Sequence, residues 1–186
     1  MWLHPHKNRP FNATSHARNE AMKEHDHATL GAAITAIVRE TGHKILIGHE
    51  DITEIPIGRE WLLDLLPADV KPSVVWRETP WLTDEALGIY TRSAGLFGHE
   101  MHSPTMCIGQ GIPALVGRST EQSSKGLMRR DLGLDDWLFD TDDPADVTRL
   151  VPAALAFAQD PVAAKARALV ATFHRDTMAI LARQLP

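Results

Sequence analysis

Short apolar runs alternate with longer stretches of helical periodicity along most of the chain. Leu30, Ile34 and Ile37 recur at helical spacing and predict a helix over residues 19–41, which Gly42 would end. The apolar runs that follow are about four residues long, a length typical of strands buried in a sheet. Four such strands are predicted, at residues 44–47, 73–76, 94–97 and 113–116.

Helical segments separate and follow these strands. They are predicted at residues 57–66, 82–93, 103–110, 142–157 and 161–185, the last two being rich in alanine. Repeated strand–helix alternation favours right-handed crossovers and a parallel sheet. The sequence therefore predicts one Rossmann-like α/β domain over residues 19–186, with a helical C-terminal tail. Residues 1–18 lack periodicity and are interpreted as an irregular N-terminal arm.

Composition narrows the class of protein. A net charge of −5 leaves no basic surface typical of nucleic-acid binding. No apolar stretch reaches the roughly 20 residues that span a bilayer, and the polar, His-rich start does not match a signal peptide. The single cysteine, Cys107, lies in an apolar run and is expected to be a buried, inert thiol. We expect a cytoplasmic protein with no membrane span and no nucleic-acid partner.

Polar residues follow the predicted strands, where a parallel sheet binds its ligands. The candidates are His49 and Glu50 after the first strand, Glu100 and His102 after the third, and Arg118, Glu121 and Gln122 after the fourth. A parallel sheet places all these strand ends at one edge, so part of the clustering is automatic. A solvated loop explains His49 and Glu50 equally well.

The segment around Ser103 is the sharpest local feature. Ser103 as N-cap and Pro104 at the first helical position predict a helix start. The free backbone N–H groups of such a start bind anions, and His102 just before it can add a hydrogen bond or a proton. Alternatively, His102 and Glu100 only satisfy loop backbone.

The loop after the fourth predicted strand carries hydroxyl and amide side chains followed by Lys125. This composition suits sugar hydroxyls or phosphate oxygens, although a solvated loop fits it too. The glycine spacing of a P-loop is absent. His25 and His27 are two residues apart on a helix and point to different faces, so they make a poor metal site. No metal and no cofactor is predicted.

Residues 98–139 resemble the C-terminal half of the polysaccharide pyruvyl transferase family. The resemblance rests on the order and spacing of four pieces, which are Glu100-Met101-His102-Ser103, Gly111-Ile112-Pro113, Lys125 and Leu132-Gly133-Leu134. Glu100 stands where the family has an arginine.

The resemblance implies a two-lobed fold like that of GT-B glycosyltransferases. It also implies transfer of the enolpyruvyl group of phosphoenolpyruvate to a sugar of a cell-envelope polysaccharide. His102 would be the general acid, with Glu100 beside it, while Ser103 and Lys125 would hold the donor. Family members carry a further N-terminal lobe, so the chain is expected to be a fragment, to work with a separate lobe, or to act as a homo-oligomer.

Two alternatives stay open. One is a GT-B-type sugar-nucleotide enzyme, either a glycosyltransferase or an epimerase, in which the Glu121 carboxylate would help bind the nucleotide sugar. The other is a non-catalytic module that binds a glycan or an anion. The expected partners are accordingly phosphoenolpyruvate or a nucleotide-sugar donor, together with a glycan acceptor.

Overall fold

The computed structural model describes residues 2–4, 16–119, 129–130, 132–160 and 163–184. Its strands form one parallel sheet in the order β3-β2-β1-β4-β5-β6. The strands are β1 (Trp2–His4), β2 (Ile45–Ile47), β3 (Val74–Trp76), β4 (Leu96–Gly98), β5 (Ala114–Arg118) and β6 (Leu138–Asp140). The predicted Rossmann-like α/β class is confirmed.

Six helices flank the sheet within the described ranges. They are α1 (His16–Thr41), α2 (Glu54–Glu60), α3 (Thr83–Tyr90), α4 (His102–Gly109), α5 (Pro144–Gln159) and α6 (Ala163–Gln184). Helix α1 packs along α5, whereas α3 and α6 pack against α4. Because β4 is buried at every position, both faces of the sheet are covered there. None of these helices combines the length and apolar character that crossing a membrane requires.

The N-terminal segment differs from its interpretation as an irregular arm. Residues 2–4 form β1, which pairs with β2 on one side and β4 on the other, and α1 begins at His16. Strand β6 was not predicted either. Both strands are three residues long, the same length as β2, β3 and β4. Their place in the sheet is set by pairing with distant segments.

Helix α1 follows its predicted pattern. Leu30, Ile34 and Ile37 are all at most 1% exposed and form the face that enters the core. Gly42 ends the helix with φ of 68°, a conformation that glycine adopts without steric cost, and its N–H donates to the Val38 carbonyl.

The strand order creates a switch point between β1 and β4. From β1 the chain moves outward through β2 and β3, then returns to build β4, β5 and β6 on the other side. Loops leaving adjacent strands diverge at such a point, and a crevice opens beyond their carboxyl ends. The residues just after β2 and β4 therefore border the place where this fold class binds ligands.

His99, directly after β4, links the sheet to α1. It is 2% exposed, and its Nε2–H donates to the Asp26 carbonyl at 2.9 Å. Its ring lies against Gly117 of β5, where an added Cβ would come within 2.7 Å of ring atoms. A glycine at this position is therefore required by the close approach of the imidazole.

We expect Gly117→Ala to destabilise the fold by about 1–3 kcal/mol, the usual cost of overpacking a core. Urea unfolding measures the change. The control is Gly88→Ala in α3, where an added Cβ meets nothing within 4 Å and alanine favours the helix by about 1 kcal/mol. Equal stability of Gly117→Ala and the wild type would contradict this packing.

His27 on α1 is buried beside His99, with ring centroids 6.2 Å apart. Its Nδ1–H donates to the Lys23 carbonyl at 2.7 Å. Burial, and next the neighbouring His99, lower the pKa of His27 from 6.5 to about 4. Between these two pH values His27 is therefore neutral in the folded chain and protonated in the unfolded chain.

This pKa difference predicts loss of stability in mild acid. Below pH 6.5 His27 is protonated in the unfolded state, whereas in the folded state it stays neutral down to about pH 4. Stability therefore falls as the pH drops through this window, by about 3 kcal/mol in total. In unfolding free energies measured between pH 4 and 7, His27→Gln should flatten this slope, and the matched change at exposed His25 should not. Parallel pH profiles of wild type and His27→Gln would refute the assignment.

Candidate functional site

A cavity of about 230 Å³ lies beyond the carboxyl ends of β2 and β4. The loop after β2, the start of α3 and the start of α4 form its walls. The polar and aromatic residues that line it are His49, Glu50, Trp81, Thr83, Tyr90, His102 and Ser103. Four residues that the sequence nominated, His49, Glu50, His102 and Ser103, therefore meet in one crevice.

The loop after β2 holds Glu50 in place through its own acidic side chains. The Glu50 backbone N–H donates to Oε2 of Glu54 at 2.7 Å, and Glu54 is only 1% exposed. Asp51 Oδ1 accepts from the N–H and the hydroxyl of Thr53 at 2.9 and 2.7 Å. These bonds fix the turn before α2 and leave the Glu50 side chain directed away from it, towards α4.

The Glu50 carboxylate bridges two groups at the start of α4. Its Oε2 lies 2.9 Å from His102 Nδ1, and its Oε1 accepts the backbone N–H of Ser103. The Glu50 side chain is 13% exposed, whereas that of His102 is 82% exposed. The helix start predicted to bind an external anion thus already binds a carboxylate of the same chain.

Helix α4 begins two residues earlier than predicted. Met101 is its N-cap and His102 its first residue, so Ser103 lies inside the first turn and is not the cap. The Ser103 hydroxyl is instead hydrogen-bonded to the hydroxyl of Tyr90 on α3, at 2.6 Å. Burial raises the pKa of Tyr90 above its ordinary value, so this phenol stays protonated. Ser103 therefore joins α4 to α3.

Trp81 forms the aromatic wall of the crevice. Its indole N–H donates to the His49 carbonyl at 3.0 Å, and its ring stacks on that of His49 with centroids 5.7 Å apart. The Arg77 guanidinium lies 4.7 Å from the centroid of the Trp81 ring. His49 itself is 3% exposed, so it supports the wall and offers little surface to a ligand.

The remaining predicted site residues are not brought into this crevice. Arg118 pairs with Asp140 Oδ2 at 3.0 Å, and both side chains are 16% exposed, so the pair joins β5 to β6. Glu100 is half-buried in the turn before α4 and does not line the cavity. The loop candidates Glu121, Gln122 and Lys125 lie outside the described residues.

Tyr90 was not anticipated as a site residue. It is the only tyrosine of the chain and occupies the last position of α3, where helical periodicity alone predicts a core side chain. Its role depends on the Ser103 hydroxyl, 13 residues away in the sequence. No local sequence pattern predicts a hydrogen bond between Tyr90 and Ser103.

Two buried groups outside the crevice bear on reactivity. Cys107 is fully buried, as predicted, and burial raises the pKa of its thiol to about 12, so it stays protonated at neutral pH. Arg129 is 1% exposed, and burial lowers its pKa to about 10. Its guanidinium makes no hydrogen bond to the described part of the chain. Sequence patterns gave no sign of this buried cation.

A group of potential metal ligands lies apart from the crevice. Within the described ranges, His25, Asp26 and Asp142 place one ligand atom each within 4.8 Å of one another. The His25 Nδ1 is 3.2 Å from Asp26 Oδ1, so the imidazole and the carboxylate also pair directly. This direct pairing accounts for the proximity of His25 and Asp26 but not for that of Asp142, and no crevice residue belongs to the group.

Comparisons with known proteins identify the fold. No family model and no curated sequence matches the chain. Among solved structures it is similar to the glycotransferase of kitacinnamycin, with 16% identity and a TM-score of 0.52 over 100% of this chain and 43% of that one. It is also similar to a mutant O-GlcNAc transferase of Thermobaculum terrenum, with 10% identity and a TM-score of 0.57 over 94% and 32%.

The calicheamicin glycosyltransferase CalG4 is a third similar structure, with 14% identity and a TM-score of 0.51 over 100% of this chain and 43% of that one. The chain thus spans less than half the length of these structures. Its fold is that of one lobe of a GT-B glycosyltransferase.

The hydroxyl pair between Tyr90 and Ser103 gives a testable coupling. Tyr90→Phe and Ser103→Ala should each destabilise the fold by about 1 kcal/mol, because each removes the hydrogen bond between the two buried hydroxyl groups. The double variant should lose less than the sum of the two single losses. Urea unfolding of the four proteins measures this coupling, and strictly additive losses would show that the pair does not join α3 to α4.

Proposed function

We propose that the chain is the donor-binding lobe of a GT-B-type glycosyltransferase that uses a nucleotide sugar. Two observations support this. The fold resembles that of glycosyltransferases over the whole chain, and a carboxylate and an imidazole meet in a crevice beside the switch point of the sheet. The crevice is the main support for the proposal, because fold alone does not define an activity.

The chemistry of the crevice suits an uncharged sugar. Carboxylate oxygens accept hydrogen bonds from hydroxyl groups, and Glu50 offers such oxygens at the base of the cavity. The half-exposed Trp81 supplies an apolar wall for the carbon face of a sugar ring. A volume of about 230 Å³ falls below the ~300–1,000 Å³ of pockets for drug-sized ligands. It accommodates one sugar unit, so the nucleotide and most of the acceptor would lie outside it, with the reacting acceptor hydroxyl at its edge.

Pyruvyl transfer from phosphoenolpyruvate is the second candidate. The motif pieces that suggest it have definite structural roles. Gly111, with φ of 72°, leads through Ile112 and Pro113 into β5. Gly133, with φ of 66°, precedes the fully buried Leu134. None of these positions lines the crevice, so they do not decide the donor.

The charge of the crevice distinguishes between the two candidate donors, a nucleotide sugar and phosphoenolpyruvate. Glu50 is bonded to His102, and Glu100 stands two residues before that histidine. Phosphoenolpyruvate carries its phosphate and carboxylate within a few bonds of the reacting carbon, so it would bring its charge close to the Glu50 carboxylate. A nucleotide sugar can instead place its neutral sugar beside Glu50 and its diphosphate farther away. The crevice therefore favours the nucleotide sugar.

A thermal-shift titration tests the proposal. A ligand that binds only the folded chain raises Tm with its saturation. Uridine, guanosine and thymidine diphosphate sugars are compared with phosphoenolpyruvate and with a free oligosaccharide. We expect a rise with at least one nucleotide sugar and a Kd about tenfold or more weaker in Glu50→Gln, since hydrogen bonds to a charged group contribute about 1.5–3 kcal/mol.

The matched control is Glu60→Gln, which makes the same chemical change at an exposed position near the end of α2. It should bind the nucleotide sugar like the wild type. A rise with phosphoenolpyruvate alone would move the assignment to pyruvyl transfer. A rise with the oligosaccharide alone would indicate a non-catalytic glycan-binding module. No rise with any of these compounds would contradict the proposal.

A further inference from the structure

The contact between Glu50 and His102 fixes which ring nitrogen carries the proton. An ionised carboxylate only accepts hydrogen bonds, so at 2.9 Å from Glu50 Oε2 the Nδ1 of His102 must be the donor. In the neutral imidazole the other nitrogen, Nε2, is then unprotonated. Nε2 makes no hydrogen bond to the described part of the chain, and the His102 side chain is 82% exposed.

The carboxylate that makes this contact is itself held rigidly. Oε1 of Glu50 accepts the Ser103 N–H at the positive end of α4, and the Glu50 backbone N–H donates to buried Glu54. Helix α4 is fixed in turn by the bond between Ser103 and Tyr90. Glu50 can therefore hold one of its two oxygens on His102 without moving, while the other remains on the helix.

We propose that Glu50 is a positioning residue, which keeps His102 in the tautomer with Nδ1 protonated and presents Nε2 to the crevice as a proton acceptor. The chemical role of Nε2 rests on the proposed function. An acceptor hydroxyl would form the new bond to the anomeric carbon of the donor. The bond from that carbon to the leaving phosphate oxygen would break, with its electron pair going to the diphosphate. The hydroxyl proton would go to Nε2, and Nδ1–H would stay on Glu50.

A purely structural role for Glu50 is the competing explanation. A carboxylate on a helix N-terminus stabilises that helix whether or not a histidine lies beside it. The two roles differ in what they do to the imidazole. Capping alone leaves the His102 tautomer free, and histidine in water favours the form protonated on Nε2. Positioning by Glu50 imposes the opposite form.

Histidine side-chain ¹⁵N NMR of the full chain, free of ligand, distinguishes these roles. Spectra are recorded at alkaline pH, where imidazole side chains are neutral. His102→Gln assigns the signals, because it removes one of ten histidines. We expect the wild type to favour Nδ1–H over Nε2–H by about tenfold or more, as a hydrogen bond to a carboxylate implies.

Glu50→Gln should reverse this preference. Glutamine has one acceptor oxygen, which can stay on the Ser103 N–H, and its NH₂ group then faces Nδ1 and requires it to be an acceptor. Glu50→Asp keeps a carboxylate and should retain a majority of Nδ1–H. Glu60→Gln should leave the His102 signals unchanged.

Three outcomes would overturn the proposal. The first is a wild-type His102 that is mainly protonated on Nε2, a result that needs no variant and so holds even if Glu50→Gln fails to fold. The second is an unchanged tautomer in folded Glu50→Gln, which would leave Glu50 as a helix cap. A flipped tautomer in Glu60→Gln would show that the readout is not specific to Glu50. Because the spectra need no donor, failure of the nucleotide-sugar titration would refute the proposed function and leave this measurement valid.

Discussion

The carboxylate of Glu50 at the start of α4 is the contact on which the crevice depends. It joins the loop after β2 to the helix after β4, two segments that lie on either side of β1 in the sheet. Both hydrogen bonds are assisted by charge, because a negative carboxylate meets an imidazole N–H and the positive end of a helix. Without this contact the two loops would be free to separate at the switch point.

The rest of the crevice is built outward from this contact. Glu54 sets the backbone at Glu50, Tyr90 sets the position of Ser103, and Trp81 closes the side through the His49 carbonyl. Each of these groups is tied to a backbone or hydroxyl partner, so the polar cavity is rigid before a ligand arrives. Rigid placement of a few polar groups is what orients a small substrate. The His102 side chain extends into solvent, and its freedom is limited by Glu50.

The sequence allowed the α/β class, most of the helices and the strand ends to be predicted, because these depend on local periodicity. It also nominated Glu50, His102 and Ser103, since parallel strands bring their carboxyl ends to one edge. The prediction that Ser103 is the N-cap of α4 was wrong. A serine before a proline is a strong local cap signal, yet the α4 amide binds Glu50, 53 residues away. Arg118 likewise pairs with a residue distant in the sequence, Asp140, and does not line the crevice. Local patterns do not contain such tertiary partners.

The internal carboxylate also constrains what the crevice can bind. A helix N-terminus that is free attracts phosphate, but here the amide of Ser103 is occupied by a charge of the same sign as phosphate. A second anion at this point would have to displace Glu50 and break its bond to His102. A neutral hydroxyl needs no such displacement, since it can donate its one proton either to the carboxylate or to Nε2 of the imidazole, which are both acceptors. The same contact that closes the helix to anions therefore leaves the crevice suited to the uncharged part of the proposed donor.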